Sequence, residues 1–298
     1  KEEYKKIFDE RLKQNPLTGA DYEPESAGET KLKQDNSTYA AMVKSVDDGV
    51  GKIMKALEDA GLDKNTVIIV TSDHGGLASR GNNRELATSN KPLRAGKGHL
   101  YEGGIRVPLF VKWPGVAQGG TETNSIVQGV DNYSTIVEIA GGKMPEKQIN
   151  DGVSYLDVLT KGKSYAGRTI FWHNGSPRPK QTADIYSSVV RSGDYKLIDL
   201  YGLGKKELYN IKEDIGEKND IASANPQIVN ELSAKLDAWR KSVGADMKLK
   251  PGSLSEAEKA VTKVEATPKE QKKEEKKEAR KEAKKAERKA ERKLLKNK

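Results

Sequence analysis

The 298 residues contain no cysteine. That absence removes disulfides, thiolate zinc sites and cysteine nucleophiles, and it says little about compartment, because oxidising and reducing locations both tolerate it. No apolar run approaches the roughly 20 residues that a membrane-spanning helix needs. There is no initiator methionine and no signal-type segment. The chain opens Lys1-Glu2-Glu3, as a piece of a longer chain would, so the lack of a targeting segment carries no information.

Charge is abundant. Lys and Arg number 53 against 44 Asp and Glu, a net charge of +9 with pI near 9.3. Such a pI invites a nucleic-acid reading, but the charge is not spread evenly. Residues 269–298 hold 15 Lys and Arg and seven Glu, which is eight of the nine net charges. The body is close to neutral. The tail has no Gly, Pro or aromatic residue, so it offers no stacking platform for single-stranded nucleic acid. Its Lys, Glu, Ala and Arg are strong helix formers. Glu274–Lys277, Glu278–Lys281 and Glu282–Lys285 lie at ion-pair spacing. Ala279, Ala283, Ala286 and Ala290 recur as a weak seam. The plain expectation is a solvated helical or disordered extension, with a polyanion or a partner helix as its candidate ligands.

The body reads as α/β. After a polar entry segment (1–35), read as a short helix end and a loop, Asn36 or Ser37 can cap a helix. Tyr39, Met42, Val43, Val46, Val50, Ile53, Met54 and Leu57 form a stripe at three- and four-residue spacing, and Gly61 stops it. Val67–Thr71 is a continuous β-branched run, the pattern of a strand buried on both faces of a parallel sheet. Ser72-Asp73-His74-Gly75-Gly76 then sits at the strand's carboxyl end, where open α/β sheets bind ligands. A long Gly/Asn/Arg loop spans 76–100, and loops of that length in compact domains are commonly functional. Val107–Trp113 and Ile126–Val130 read as strands, with Asp131 as cap of a helix through Ala140. From residue 165 the texture changes. Thr169–His173, Ile185–Arg191, Tyr195–Leu200 and Glu207–Asn210 are short strands between turns, an antiparallel pattern. Asn225-Pro226 opens a helix whose one face carries Ile228, Val229, Leu232, Leu236 and Trp239. Residues 244–268 form a linker.

Two features carry chemistry. Asp73 and His74 offer oxygen and nitrogen donors to a divalent cation, although such a dipeptide commonly serves only as a cap or turn. Lys97 and His99 flank Gly98 in a glycine-rich loop whose exposed N–H groups favour an anion. Lys supplies a compact positive charge, and the loop alone also has a purely structural reading. Together they describe a metal-plus-anion site, in which fixed cations stabilise charge developing at sulfur or phosphorus. His173, at the end of a Phe-Trp strand, is either a substrate contact or a plain strand-end histidine.

Thr71-Ser72-Asp73-His74-Gly75, then Gly96-Lys97-Gly98 with Tyr101-Glu102-Gly103-Gly104-Ile105-Arg106-Val107-Pro108, then Trp113-Pro114-Gly115, resemble the second half of a type I sulfatase. This is the arylsulfatase-like branch of the alkaline phosphatase superfamily. The likeness continues through Asp131, Ala140-Gly141-Gly142, Asp151-Gly152, Arg191–Ile198, Glu207–Asn210 and the Glu217–Ala222 stretch, and covers roughly residues 36–243.

The resemblance implies metal-dependent hydrolysis of sulfate esters of sugars or aryl compounds, with calcium and a formylglycine nucleophile made from a Cys/Ser-x-Pro-x-Arg motif. It implies Asp73 and His74 as metal ligands and Lys97 as the sulfate-contacting lysine, with His99 nearby in a less settled catalytic role. Tyr101, Glu102 and Arg106 would brace the loop. It also implies a periplasmic or extracellular location. The fold expected is a partial alkaline-phosphatase-like mixed sheet flanked by helices over 36–164, with a smaller C-terminal antiparallel sheet plus helix over 165–243. A phosphatase or phosphonate hydrolase of the same superfamily is an alternative, and a non-catalytic polyanion-binding protein is another.

The nucleophile motif and the paired N-terminal metal carboxylates are missing. Ser176-Pro177-Arg178 has the wrong spacing and position to replace the motif. The chain is therefore expected to be a fragment and, alone, to release no sulfate from an aryl sulfate. Robust turnover in a sulfate-release assay would contradict this.

Overall fold

The entry segment folds further than its polar composition suggests. In the computed structural model, which describes residues 1–249, Glu2–Gln14 form helix α1 and Tyr22–Glu25 (β1) pairs antiparallel with Gly28–Lys31 (β2). The expected loop is thus a hairpin. Its buried members are polar, which hid it from apolar patterning: Glu25 takes two bonds from Arg94, and Thr30 Oγ1 donates to Ala78 O at 3.1 Å.

Ser37–Asp59 form α2, capped by Asn36, whose Oδ1 accepts from Tyr39 N at 2.8 Å. Gly61, at φ +69°, ends it in the left-handed region that glycine enters freely. The apolar stripe is present but open. Met42, Val43, Val46 and Ile53 are each more than half exposed.

Strand β3 (Ile68–Thr71) corrects an expectation. Its partner is Leu109–Lys112, and the two run antiparallel with Thr71 opposite Leu109. A β-branched run satisfies either kind of ladder, so the run itself did not fix the direction. Neither face is sealed, since Phe110 on the partner strand is 66% exposed. Between them come the short β4 (Ser79–Arg80), which adds to β2, and the one-turn helix α3 (Glu102–Ile105); Leu109–Lys112 is β5.

Asp131–Ile139 form α4 and Leu156–Lys161 form α5. Asp131 is the first helical residue rather than the cap. It is fully buried and clamps Arg168, while accepting from Gln128 N and Val153 N at 2.6 and 2.8 Å. The segment around Ile126, expected as a strand, has no ladder partner and is irregular.

The C-terminal part matches its antiparallel expectation. β6 (Thr169–Asn174), then after α6 (Pro179–Thr182), β7 (Ser187–Ser192), β8 (Tyr195–Leu200) and β9 (Lys205–Asn210) form a four-stranded meander. Helix α7 spans Pro226–Val243. Successive strand residues face opposite sides, and both sides here are covered. Val190, Leu197 and Leu208 pack on Leu232 and Leu236 of α7, where Trp239 stacks on Phe171 with ring centroids 5.1 Å apart. Val189, Ile198 and Tyr209 pack the other way, onto Ala95 and Tyr101. The glycine-rich loop therefore rests on the main core. Among the described residues no helix is long and apolar enough to cross a membrane. The tail, and the linker from residue 250 onward, lie outside the described residues.

The two apolar faces predict different sensitivities. Leu236→Ala, in the closed core, should cost about 2–5 kcal/mol. Met42→Ala, on the open stripe, should change the stability of this chain by no more than about 0.5 kcal/mol. Urea denaturation of the two variants checks the contrast.

Candidate functional site

Strand β3 delivers Asp73 and His74 to its carboxyl end, with Thr71 Oγ1 tied to Pro108 O at 2.9 Å. Asp73 faces solvent, and its Oδ2 lies 2.9 Å from His74 Nε2. His74 N donates to Asp73 Oδ1 at 3.1 Å, and its Nδ1 lies 2.9 Å from Gly75 O.

Main chain then meets main chain. Gly75 N donates to Gly104 O, and Lys97 N donates to Gly76 O, both at 3.0 Å. A Cβ on Gly75 would sit 1.8 Å from Gly103 O, and one on Gly104 would sit 2.1 Å from His99 O and 2.6 Å from Gly96 O. No residue but glycine permits these approaches. Asn90 Nδ2 closes the clasp, bonding Gly76 O at 2.8 Å and Ala95 O at 3.0 Å. The segment bearing Asp73 and His74 and the segment bearing Lys97 are thereby held side by side.

The histidines divide. His99 is buried, and its Nε2 lies 2.7 Å from Thr182 O. A carbonyl demands a donor, so the ring carries its proton on Nε2 and leaves Nδ1 as an acceptor. Burial, only partly offset by the Glu25 charge and the Thr182 bond, pushes its pKa below 6.5. His99 is thus a neutral tether. His173 has Nδ1 2.8 Å from Ser188 Oγ and Nε2 3.2 Å from Asp246 O, and it stacks on Tyr201. Both its nitrogens are engaged. The next residue, Asn174, reaches the loop instead, donating to Gly98 O at 3.2 Å.

Beneath the clasp lies a buried charge cluster. Lys196 Nζ sits 2.9 Å from Glu102 Oε1 and 2.8 Å from Glu217 Oε1, all three side chains almost wholly buried. Glu102 also binds Arg106 Nε at 2.6 Å, and its backbone N–H donates to Glu217 Oε2 at 2.6 Å. Burial works against ionising Glu102, yet Lys196 and Arg106 outweigh it and hold the carboxyl at about 2. For Glu217 burial prevails over the attraction of Lys196, and its pKa is raised. Glu102 and Arg106 brace the loop as expected. Lys196 had no assigned role, although strand alternation puts it on the same inward face as Ile198 and Leu200, and a lone charge in such a stripe is the available signal.

The comparisons with known proteins agree on one family. The sulfatase model matches residues 2–142, and the model of the C-terminal part of N-sulphoglucosamine sulphohydrolase matches residues 95–242. The chain belongs to the sulfatase family. A sulfatase of Formosa agariphila is 35% identical over 224 residues, covering 67% of this chain and 39% of that protein. The N-acetylgalactosamine-6-sulfatase of Mus musculus is 34% identical over 150 residues, covering 50% of this chain and 28% of that one. The crystal structure of Ps i-CgsB in complex with k-i-k-neocarrahexaose superposes with a TM-score of 0.61 at 27% identity, covering 81% of this chain and 50% of that one. The chain thus spans about two fifths of the Formosa relative and less of the mouse one.

Membership in the family implies a divalent metal cofactor. Calcium takes six to eight oxygen ligands. Asp73 presents a solvent-facing carboxylate and His74 an adjacent nitrogen, but no cluster of three or more His, Asp or Glu suited to a metal occurs among the described residues. Asp73 fits as one corner of such an oxygen shell, and His74 adds a nitrogen donor beside it.

The depressed His99 pKa has a definite sign. The unfolded chain takes up a proton near pH 6.5 and the folded one resists, so the His99 contribution to stability falls as pH drops through 6.5. Between about pH 7.5 and about pH 5.5, wild type should lose more stability than His99→Gln, which keeps an N–H for Thr182 O. Equal losses in denaturation midpoint would contradict this.

Proposed function

We propose that this chain supplies the second half of a sulfuric ester hydrolase site. The observation that carries the reading is the clasp that holds Asp73-His74 beside Lys97 through the Gly75–Gly104 and Lys97–Gly76 main-chain bonds. Both matching family models are sulfatase models, which favours a sulfate ester over the phosphate and phosphonate esters of related enzymes.

In this reading Asp73 and His74 hold part of a calcium ion, which when bound supplies positive charge beside the transferring sulfuryl group. Lys97 contacts a sulfate oxygen with its ammonium and stabilises the charge that develops as the ester bond breaks. His99, neutral with its Nδ1 lone pair free of a proton, fixes the loop and offers an acceptor rather than a donor. The residues of this chain supply neither the formylglycine motif nor the paired carboxylates that such a site would add. The substrates are sulfated sugars, by analogy with relatives named for N-acetylgalactosamine-6-sulfate hydrolysis and solved with k-i-k-neocarrahexaose. The site of action is periplasmic or extracellular.

The test uses the protein with its upstream sequence. Lys97→Ala should lower kcat/KM on an aryl sulfate by about a hundredfold or more. Asp73→Ala should weaken calcium binding measured by calorimetry. Unchanged values for both would refute the assignment.

A further inference from the structure

We infer that Lys196 and Glu217 are positioning residues, setting the floor on which both halves of the site rest. The inference builds on the reading of Lys97 as the sulfate-contacting lysine. Helix α3 is a single turn and has little stability of its own. Its first residue, Glu102, is held at three points: Lys196 on one carboxylate oxygen, Arg106 on the other, and Glu217 on the backbone N–H. Two residues on, Gly104 O receives the Gly75 N–H, and a β-carbon on Gly104 would lie 2.6 Å from Gly96 O, beside Lys97. A shift of Glu102 therefore moves Gly104, and Gly104 touches the metal-side and the lysine-side segments alike.

Glu217 is built for this task. It adopts φ +50°, a region that residues with a Cβ seldom occupy, and both ends of the residue are secured. Its carbonyl accepts from Arg94 Nη1 at 3.2 Å, and its carboxylate is shared between Lys196 Nζ and Glu102 N. Lys196 stands on β8, whose neighbours Leu197 and Ile198 are sealed in the two cores. The floor is thus tied to the buried C-terminal sheet, 94 residues along the chain from Glu102. Removing one member of a buried ion group leaves its partner uncompensated, so the disturbance falls on α3 first.

The test is Lys196→Met, of similar length without charge. In the 298-residue chain, hydrogen exchange should speed by about tenfold or more in peptides covering 73–76 and 96–105, while β6, β7 and α7 exchange as in wild type. If Lys196→Met does not fold, Glu217→Gln, which keeps an oxygen for the Glu102 N–H, is read in the same way. Unchanged exchange in the two site segments overturns the inference, and so does uniform acceleration across the sheet, which would mark a general loss of stability. In the protein with its upstream sequence, kcat should fall about tenfold to a hundredfold with KM little changed. A wild-type protein without sulfatase activity would sink the functional reading, and the exchange result would still decide this one.

Discussion

The site depends on main chain touching main chain. At Gly75 and Gly104 the neighbouring carbonyls lie closer than any β-carbon tolerates, and the hydrogen bonds there join a strand end to a loop more than twenty residues downstream. Side chains on these two segments then need no contact with one another to be placed. Asp73, His74 and Lys97 project from two segments whose separation is set by main-chain contacts, closed by the Asn90 side chain. Such a clasp is stiff because the close main-chain approaches leave little room for displacement. The cost is intolerance, since a methyl group at either glycine forces the segments apart.

The clasp stands on the C-terminal sheet, whose two faces carry unlike loads. Toward α7 the contacts are apolar and aromatic. Toward the loop they mix Val189 and Ile198 with Lys196 and with Tyr209, whose hydroxyl donates to Glu207 and accepts from Arg94. Buried ion groups add little net stability over a well-packed apolar core. They specify direction, however, because a lysine between two carboxylates has few acceptable positions where an aliphatic contact has many. The sheet thereby supplies both cohesion and alignment to a loop made mostly of residues with neither.

Much of this was legible in the residues, and the exceptions have physical causes. α2, the four-stranded meander and α7 follow from periodicity, because their apolar residues recur at the spacing of the element. The β1–β2 hairpin did not, since its buried side chains are polar: Glu25 and Thr30 are satisfied by Arg94 and Ala78 far along the chain, and Lys31 by Asp35. The direction of β3 escaped because a β-branched run looks alike in either ladder. Asp73, His74 and Lys97 stood out through motif and glycine context, and the structure brings their segments together. His173 drew attention as a rare histidine at a strand end, whereas Asn174, one residue later and on the opposite face, reaches the loop. Lys196 and Glu217 were visible only as part of a longer likeness, because a buried charge acquires its role from a partner that sequence spacing does not reveal.

The reach of the Glu102 bonds also fixes an order of events. Glu102 lies 94 residues before Lys196 and 115 before Glu217. A ribosome releasing the chain from its N-terminus exposes Asp73, His74 and Lys97 while their support is still unsynthesised. Contacts of such long range close late, after the loop entropy between them has been overcome. The segments bearing Asp73 and Lys97 therefore emerge before their support and gain it only when the meander has formed. Alignment of the two segments thus arrives as a late step of folding, coupled to completion of the C-terminal sheet.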